Sequence, residues 1–450
     1  MFQPDLQGGN DFDAARLESL AAFVLNEAAA QGATAAEAGL SQDRGLSIGV
    51  RLGEVETIEH HRSQGLGITV YFGQRKGSAS TTDLGTQALR DSVTAACRIA
   101  RYAAEDEFSG LPEANLLATQ FPDLSLYHPW PLTPEEGIRH ALACEQAALD
   151  HDAAITNSEG ASISTYSGYR VLGNSLGFLH GYASSRHSLS CSVIGQRGDS
   201  MQRDDWWTVA RAQEGLEPAE AVGVKAAERT LQRLGARSLT TRQCPVVFAS
   251  DIAGGFFGHF IAAIRGGNLY RKSSFLLDSL GKTVFPDFLH IHEQPYIPGA
   301  LGSAAYDGEG VRTSAHDLIK DGILQSYVLN TYSARKLGMT TTGNAGGVHN
   351  LTIDPGDHDL AGLLKAMNTG LLVTELMGQG INLVTGDYSR GAAGFWVENG
   401  VIQYAVEEIT IAGNLRDMFL NVVAVGNDVD KRGGIWTGSV LVEKMTVAGN

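Results

Sequence analysis

The order of elements in the first half of the chain is the feature that most constrains its fold, because the same order occurs twice. Residues Gly45–Tyr102 and Ala161–Leu234 each begin with short segments of alternating apolar and polar side chains, and each ends with an amphipathic stretch. Alternation indicates half-buried strands, whereas apolar spacing of three and four residues indicates a helix. The shared order predicts a degenerate internal duplication, in which hairpin strands are followed by one helix.

Turn and capping residues define the elements of the first copy. A helix is predicted over Asp13–Gln31, and Gly53-Glu54 separates two alternating segments as a hairpin turn. Two further strands are expected within Leu66–Thr81, and Thr82 or Asp83 then caps the helix that closes this copy.

A connector and a strong helix start precede the second copy. Glu105–Pro131 is polar, contains proline and has no periodicity. The sequence TPEE at Thr133–Glu136 is a capping box with proline at the first helical position, so a helix is predicted to about Asp150. Strands are expected from Ile155 to Ala210, and a helix over Pro218–Leu234.

The second half of the chain is rich in glycine and in strand patterns. It opens on a buried-strand pattern at Gln243–Ser250. Hairpin turns are predicted at Asp321-Gly322 and Asn399-Gly400, and short helices at Thr331–Leu337 and Asp359–Met367.

These patterns predict an α+β fold of two domains. Residues 1–240 form an N-terminal α/β sandwich-like half with subdomains of about 1–104 and 131–238, and residues 241–450 form a mostly β half.

Composition excludes several classes of protein. A chain with 43% hydrophobic residues can bury a large core, and its net charge of −16 opposes binding to nucleic acid or to a membrane surface. The start, MFQPDLQGGNDFD, has neither a basic nor an apolar region of a secretory signal. Cys97, Cys144, Cys191 and Cys244 are widely spaced, which is typical of free thiols in the cytoplasm.

The stretch IAGGFFGHFIAAIRGG, Ile252–Gly267, raises the question of a metal site. A zinc-peptidase helix needs two histidines one turn apart and a glutamate, but the positions preceding His259 by one turn are Gly254 and Gly255. We therefore interpret His259 as a core histidine. Two adjacent glycines destabilise a helix, so we expect another backbone to pass close to them.

Other motifs carry weaker signals. GNSLG, Gly173–Gly177, fits a nucleophile elbow, but alternation on both sides favours a β-turn at Ser175. His290 and His292 lie on one face of a probable strand, in a ligand-compatible arrangement with no third ligand evident. His60-His61 point to opposite faces of a strand, which opposes joint ligation.

The loop GDYSRGAAGFWVENG places Asp387, Tyr388 and Arg390 together between two strand patterns. An exposed arginine and tyrosine beside small residues would clamp an extended peptide by strand addition. A structural ion pair in a tight loop is the alternative, and the sequence leaves both open.

Five stretches resemble the TldD/PmbA metallopeptidase family, specifically its PmbA branch, also called TldE. They are LGITVYFGQRKGSASTTDL (Leu66–Leu84), YRKSSFLLDSLGK (Tyr270–Lys282), YSARKLGMTTTGNAGGVHN (Tyr332–Asn350), TELMGQG (Thr374–Gly380) and GDYSRGAAGFWVENG (Gly386–Gly400). The resemblance covers nearly the whole chain. It implies a two-domain α+β fold and a cytoplasmic metalloprotease that acts on unfolded or small peptides, with antitoxin breakdown and peptide-antibiotic maturation among the family's activities. "Modulator of DNA gyrase" is the family's historical label.

The resemblance also implies where the chemistry lies. TldD-type and PmbA-type chains pair as a heterodimer, and the metal-bearing chain has H-E-x-x-x-H on the helix that matches Ile252–Ile264, with a cysteine ligand near its C-terminus. In this sequence the two histidines fall on Gly254 and His259, the glutamate on Gly255, and the cysteine near Thr437.

We therefore predict a PmbA-type subunit with no catalytic residue and no metal of its own, whose TldD-type partner holds zinc. Alone, the chain is expected to self-associate through the same surface. Two alternatives remain open. The chain is a metallopeptidase in its own right, with a site near His290 and His292, or it is a non-enzymatic scaffold that binds peptides.

Overall fold

The computed structural model describes residues 12–449. The N-terminal sequence MFQPDLQGGNDFD, in which no secretory signal is expected, lies largely outside the described residues. The helices are α1 Ala14–Ala30, α2 Thr86–Tyr102, α3 Pro134–Leu149, α4 Ala219–Arg233, α5 Ser250–Ile264, α6 Gly266–Tyr270, α7 Thr331–Lys336, α8 Leu360–Met367 and α9 Leu415–Leu420. The first ten strands are β1 Ala35–Arg51, β2 Glu54–Phe72, β3 Arg75–Thr81, β4 Ile155–Asn174, β5 Leu179–Arg197, β6 Ser200–Ala210, β7 Arg242–Phe248, β8 Ile291–Glu293, β9 His316–Lys320 and β10 Ile323–Leu324. The remaining strands are β11 Leu351–Ile353, β12 Gly370–Met377, β13 Asp387–Glu398, β14 Val401–Asn414, β15 Val422–Val425, β16 Ile435–Trp436 and β17 Val440–Ala448.

The first half of the chain builds one antiparallel sheet from two units of the same order. Each unit reads helix, three strands, helix, and the sheet order is β3-β2-β1-β4-β5-β6. The first strands of the two units, β1 and β4, pair at the centre, with Ile48 opposite Ile163. Buried side chains of α1 and α2 pack with those of β1 and β2, whereas α3 and α4 pack with β4 and β5. The observed order is the one expected from a duplication.

Local sequence signals decide most boundaries in this half. The capping box at the start of α3 is present, because Thr133 accepts from the Glu136 N–H while the Glu136 carboxylate accepts from Thr133. Two expectations are wrong. Leu66–Phe72 is the end of the long strand β2 and not a separate strand, because pairing with β1 continues through its glycines. Helix α2 has Gly85 as its N-cap, and Asp83 instead accepts a bond from the Gly85 N–H within a turn.

The second half contains two further sheets, and its buried apolar residues form one large cluster and one smaller one. The larger has the order β14-β13-β12-β7-β17-β15, with an additional pairing of β14 with β17, and the smaller has the order β10-β9-β8-β11-β16. Helix α5 contributes Phe256, Phe257 and Phe260, which make ring contacts with Phe285 and Phe419. The α+β fold class is confirmed.

Both predicted hairpin turns are present. Asp321-Gly322 joins β9 to β10, and Asn399-Gly400 joins β13 to β14. All four residues have positive φ, between 50° and 73°, as a two-residue turn of type I′ requires.

Five charged residues, which we name the joint network, connect the two halves. Arg229 on α4 donates to Asp204 on β6 at 3.2 Å and to Asp251 in the first turn of α5 at 2.9 Å. Arg233, one turn further along α4, contacts Asp204 and Glu375 on β12. The network joins residues on the two sides of the predicted domain boundary near residue 240. That boundary stays a prediction. Among residues 12–449, no helix has the length and apolarity needed to cross a membrane.

Candidate functional site

The first candidate region is the exposed side of α5, where the family's metal motif would lie. A Cβ atom on Gly254 would meet the Ile435 carbonyl oxygen at 3.7 Å, which is ordinary van der Waals contact, and a Cβ on Gly255 would meet nothing within 4 Å. Another backbone does pass beside Gly254, but not so close that glycine is required, and the expectation is wrong for Gly255. Strand β16 passes beside α5 at a distance that leaves room for a Cβ atom on either glycine.

His259 lies on the same helix at the border of the core. It is half-buried, and its ring meets the Tyr388 ring edge to face, with 5.9 Å between centroids. Burial, together with the positive charge of Arg390, lowers the pKa of His259. The neutral ring could bind a metal, but the positive guanidinium of Arg390 would repel the cation.

Thr437 follows β16 and is buried, with its hydroxyl donating to the Gly438 carbonyl at 2.9 Å. Zinc in proteins takes thiolate, imidazole and carboxylate ligands. Gly254 and Gly255 have no side-chain donor, so these four positions offer one imidazole and one engaged hydroxyl. This donor set does not fit the zinc site that the resemblance implies.

The loop at the start of β13 is more buried and more fully paired than the sequence predicts. Tyr388 is 3% exposed, and burial raises its pKa to about 12. Both sides of β13 are already paired at these residues, since Arg390 lies opposite Ile411 of β14 and the Ser389 N–H donates to the Gly380 carbonyl at 2.7 Å. The expected exposure of Tyr388 and the expected strand addition here are therefore wrong. Asp387 is exposed and accepts from Thr385, and its contact with a peptide stays a prediction.

A cleft of about 1280 Å³ lies between the first sheet and two loops of the second half, residues 301–308 and 345–349. Gly39 on β1 and Gly67 on β2 form part of its floor and are register partners. A Cβ on either glycine would meet nothing within 4 Å. The floor thus exposes backbone and leaves space directly above it.

Arginines supply the charge of this cleft. Arg170, Arg186 and Arg211 line it, in a chain whose net charge is −16. Arg211 donates to the Ser185 and Leu301 carbonyls at 3.0 and 2.8 Å. Asp307 also lines the cleft, but it is buried and accepts from the backbone of Glu309, Val311 and Ala345. The accessible charge is therefore positive.

A third region brings together His290, His292 and Asp354. One ligand atom from each lies within 4.8 Å of the others. Burial lowers the pKa of His290, but hydrogen bonds and charges from Asp317 and Asp354 outweigh it, so the net shift is upward. The pKa of His292 is lowered, chiefly by burial.

The GNSLG motif and the His60-His61 pair do not form sites among the described residues. Ser175 lies in the turn between β4 and β5 and accepts from the Ala36 N–H, while His60 and His61 are exposed on β2.

Sequence reasoning missed the cleft arginines and Asp354. The arginines come from β4, β5 and the segment after β6, and nothing in their spacing shows that they converge. The signal for Asp354 was its place directly after the strand pattern Leu351–Ile353, but the pairing of that strand with β8 is not readable from sequence.

The architecture is that of a known class of protein. A Bacteroides thetaiotaomicron protein described as a modulator of DNA gyrase superposes with a TM-score of 0.92 at 28% identity, over 97% of this chain and 99% of that one. Three family models also match, namely PmbA/TldA metallopeptidase domain 1 over residues 36–100, the central domain over 127–234 and the C-terminal domain over 241–449.

Curated relatives agree with these models. The chain is 53% identical over 414 residues to Metalloprotease PmbA of Escherichia coli O157:H7, covering 92% of each chain. It is 49% identical over 435 residues to the Metalloprotease PmbA homolog of Haemophilus influenzae, covering 96% of each. The chain belongs to the PmbA/TldD metallopeptidase family.

Proposed function

We propose that this chain is the PmbA-type, non-catalytic subunit of a cytoplasmic metalloprotease that cleaves unfolded or small peptides. The proposal rests on the absence of metal-binding and catalytic side chains at two positions of α5. Within a metallopeptidase family, Gly254 and Gly255 leave this helix without the histidine and glutamate that would hold zinc and activate water. A TldD-type partner would supply both, and in its absence the chain would pair with itself.

The cleft between the two halves is the proposed peptide site. Its floor of bare backbone at Gly39 and Gly67 leaves room for an extended chain to lie flat. Arg170 and Arg186 are exposed at the same cleft. Guanidinium groups bind carboxylates through paired hydrogen bonds, so peptides with acidic side chains or a free C-terminus are the favoured substrates.

Co-expression with a TldD-type partner tests the proposal. We expect the complex to cleave a peptide and the isolated chain, stripped by chelator and reloaded with Zn²⁺, to cleave none. The variant Gly67→Phe fills the cleft and should lower cleavage by the complex, while the zinc content of the complex stays unchanged. Thr57→Phe is the matched control, because Thr57 is an exposed residue of the same strand outside the cleft.

The outcomes separate the alternatives. Cleavage by the reloaded chain alone would establish a peptidase in its own right. Peptide binding that is lost in Gly67→Phe, with no partner recovered by co-purification, would indicate a scaffold. His259→Ala should leave the zinc content of the complex unchanged, and a loss of zinc in that variant contradicts the assignment of the metal to the partner.

A further inference from the structure

We propose that His290, His292 and Asp354 form a divalent transition-metal site that fixes the segment after β11 to strand β8. The site is independent of the proposed function. It would revise the expectation that this chain holds no metal, and it leaves the catalytic zinc of the partner untouched.

The backbone brings the three residues together. His290 and His292 are two residues apart, at β8 and the residue before it, so their side chains share one face. Strand β11 pairs with β8, with Thr352 opposite His292. The Asp354 N–H donates to the His290 carbonyl at 3.1 Å, which holds the carboxylate beside both rings.

Both imidazoles present the same nitrogen to the carboxylate. His290 Nδ1 lies 2.8 Å from one Asp354 oxygen, and His292 Nδ1 lies 3.5 Å from the other. The ring centroids are 4.8 Å apart. Two nitrogens and a carboxylate therefore lie within 4.8 Å of one another, close enough to bind one ion together.

The opposite nitrogens are held by other side chains. His290 Nε2 lies 2.8 Å from Asp317, which matches the carboxylate–histidine pairing that orients metal-binding imidazoles. His292 Nε2 contacts the Gln294 side-chain amide. As placed, the Gln294 amide nitrogen faces His292 Nε2, so that Nε2 accepts and Nδ1 carries the ring proton. Turning the amide by 180° brings its oxygen to Nε2, which then donates, and Nδ1 has the free lone pair that a metal needs.

His292 Nδ1 is the observation that points to a ligand. It is buried and makes no hydrogen bond among the described residues, and its nearest polar neighbour is the Asp354 oxygen 3.5 Å away. Buried polar atoms are almost always paired, and an unpaired one calls for an occupant. A metal ion beside Asp354 would be that occupant.

The donor set selects the type of metal. Two imidazoles and one carboxylate suit Zn²⁺ or Co²⁺, whereas Ca²⁺ and Mg²⁺ prefer oxygen ligands. Glu293 lies between the two histidines in sequence, but its buried carboxylate accepts from Asn344 and from the His349 N–H. It is therefore engaged elsewhere and is not a general base for this metal, which favours a structural role.

Metal binding by the full chain tests the site. After removal of metals, Zn²⁺ and Co²⁺ are titrated singly, and the readouts are calorimetry, bound metal per chain and the visible absorption of Co²⁺. We expect one ion per chain and a higher melting temperature with Zn²⁺. His292→Ala and Asp354→Asn should each weaken binding by more than about tenfold and abolish the Zn²⁺-dependent shift, and Asp317→Asn should weaken it by roughly 10–100-fold.

Controls make the result decisive. His60→Ala removes an exposed histidine on β2 and should leave binding unchanged. Asp354 is exposed and asparagine has nearly the same shape, so this variant should fold normally, which its melting temperature in chelator reports. Equal affinity in the wild type, His292→Ala and Asp354→Asn, or no stoichiometric binding at all, overturns the site.

Discussion

The joint network makes a strong prediction about how the two halves are held together. Arg229 is the only residue of the network that bonds both Asp204 and Asp251, and the side chains of these three residues are 22%, 10% and 17% exposed. Burial opposes the charge of Arg229, but the two aspartates outweigh it and raise its pKa. The pKa of Asp251 is raised as well, because its burial outweighs the attraction of Arg229. Without Arg229, Asp251 therefore keeps the cost of burial and loses its main compensation.

The substitution Arg229→Met keeps most of the side-chain volume and removes the charge. Breaking a buried ion pair from one side costs about 3–5 kcal/mol, and partial exposure of this pair reduces the expected loss to about 2–3 kcal/mol. The assay is urea unfolding followed by tryptophan fluorescence, because Trp206 lies beside the network with Arg229 5.4 Å from its ring. Arg203→Met is the control, since its pair with Glu159 is exposed, and its expected loss is below about 1 kcal/mol. Equal unfolding midpoints for the two variants would refute the reasoning.

Three further predictions follow from features of the fold. Adding Gly254→His, Gly255→Glu and Thr437→Cys together should give α5 a zinc site, because a Cβ atom fits at both glycines without a clash. Bound Zn²⁺ that matches the wild type would contradict this. Gly223→Ala should lower the melting temperature, since its Cβ would lie 1.9 Å from the Cys144 carbonyl oxygen, whereas Gly255→Ala should stabilise the protein by about 0.5–1 kcal/mol. Burial lowers the pKa of His187, so the unfolded chain binds a proton there first, and stability should fall as pH drops below about 6.5. The loss should be smaller in His187→Gln when melting is compared at pH of about 7.5 and 5.5.

Local signals in the sequence were sufficient for much of the fold. The capping box at Thr133–Glu136 and the turns Asp321-Gly322 and Asn399-Gly400 occur as predicted, because each depends on residues adjacent in sequence. Leu66–Phe72 was predicted to be a separate strand, but it continues β2, and Gly67 within it lines the cleft. The register that makes β2 continuous depends on β1 and is not visible in one segment.

The candidate sites were less predictable than the fold, because their residues meet through contacts between elements that are far apart in sequence. The resemblance identified the positions on α5, yet the contact of His259 with Tyr388 depends on packing between a helix and a strand far apart in sequence. The group at His290 and His292 lacked its third member until β11 was placed beside β8. Tyr388 was expected to be exposed because its neighbours are polar and small, but alternation along β13 turns it inward.

The two units of the N-terminal sheet differ in the side chains they carry at matching strand positions. Gly39 is the fifth residue of its unit's first strand and Gly67 the fourteenth of the second strand, and the same ordinals in the other unit are Glu159 and Ser192. Ser192 donates to Glu159 at 3.0 Å, and Arg203 pairs with it as well. Counted in this way, the first unit has two bare glycines at the cleft where the second has a bonded serine and glutamate, although Ser192 pairs in register with Gly160 and not with Glu159.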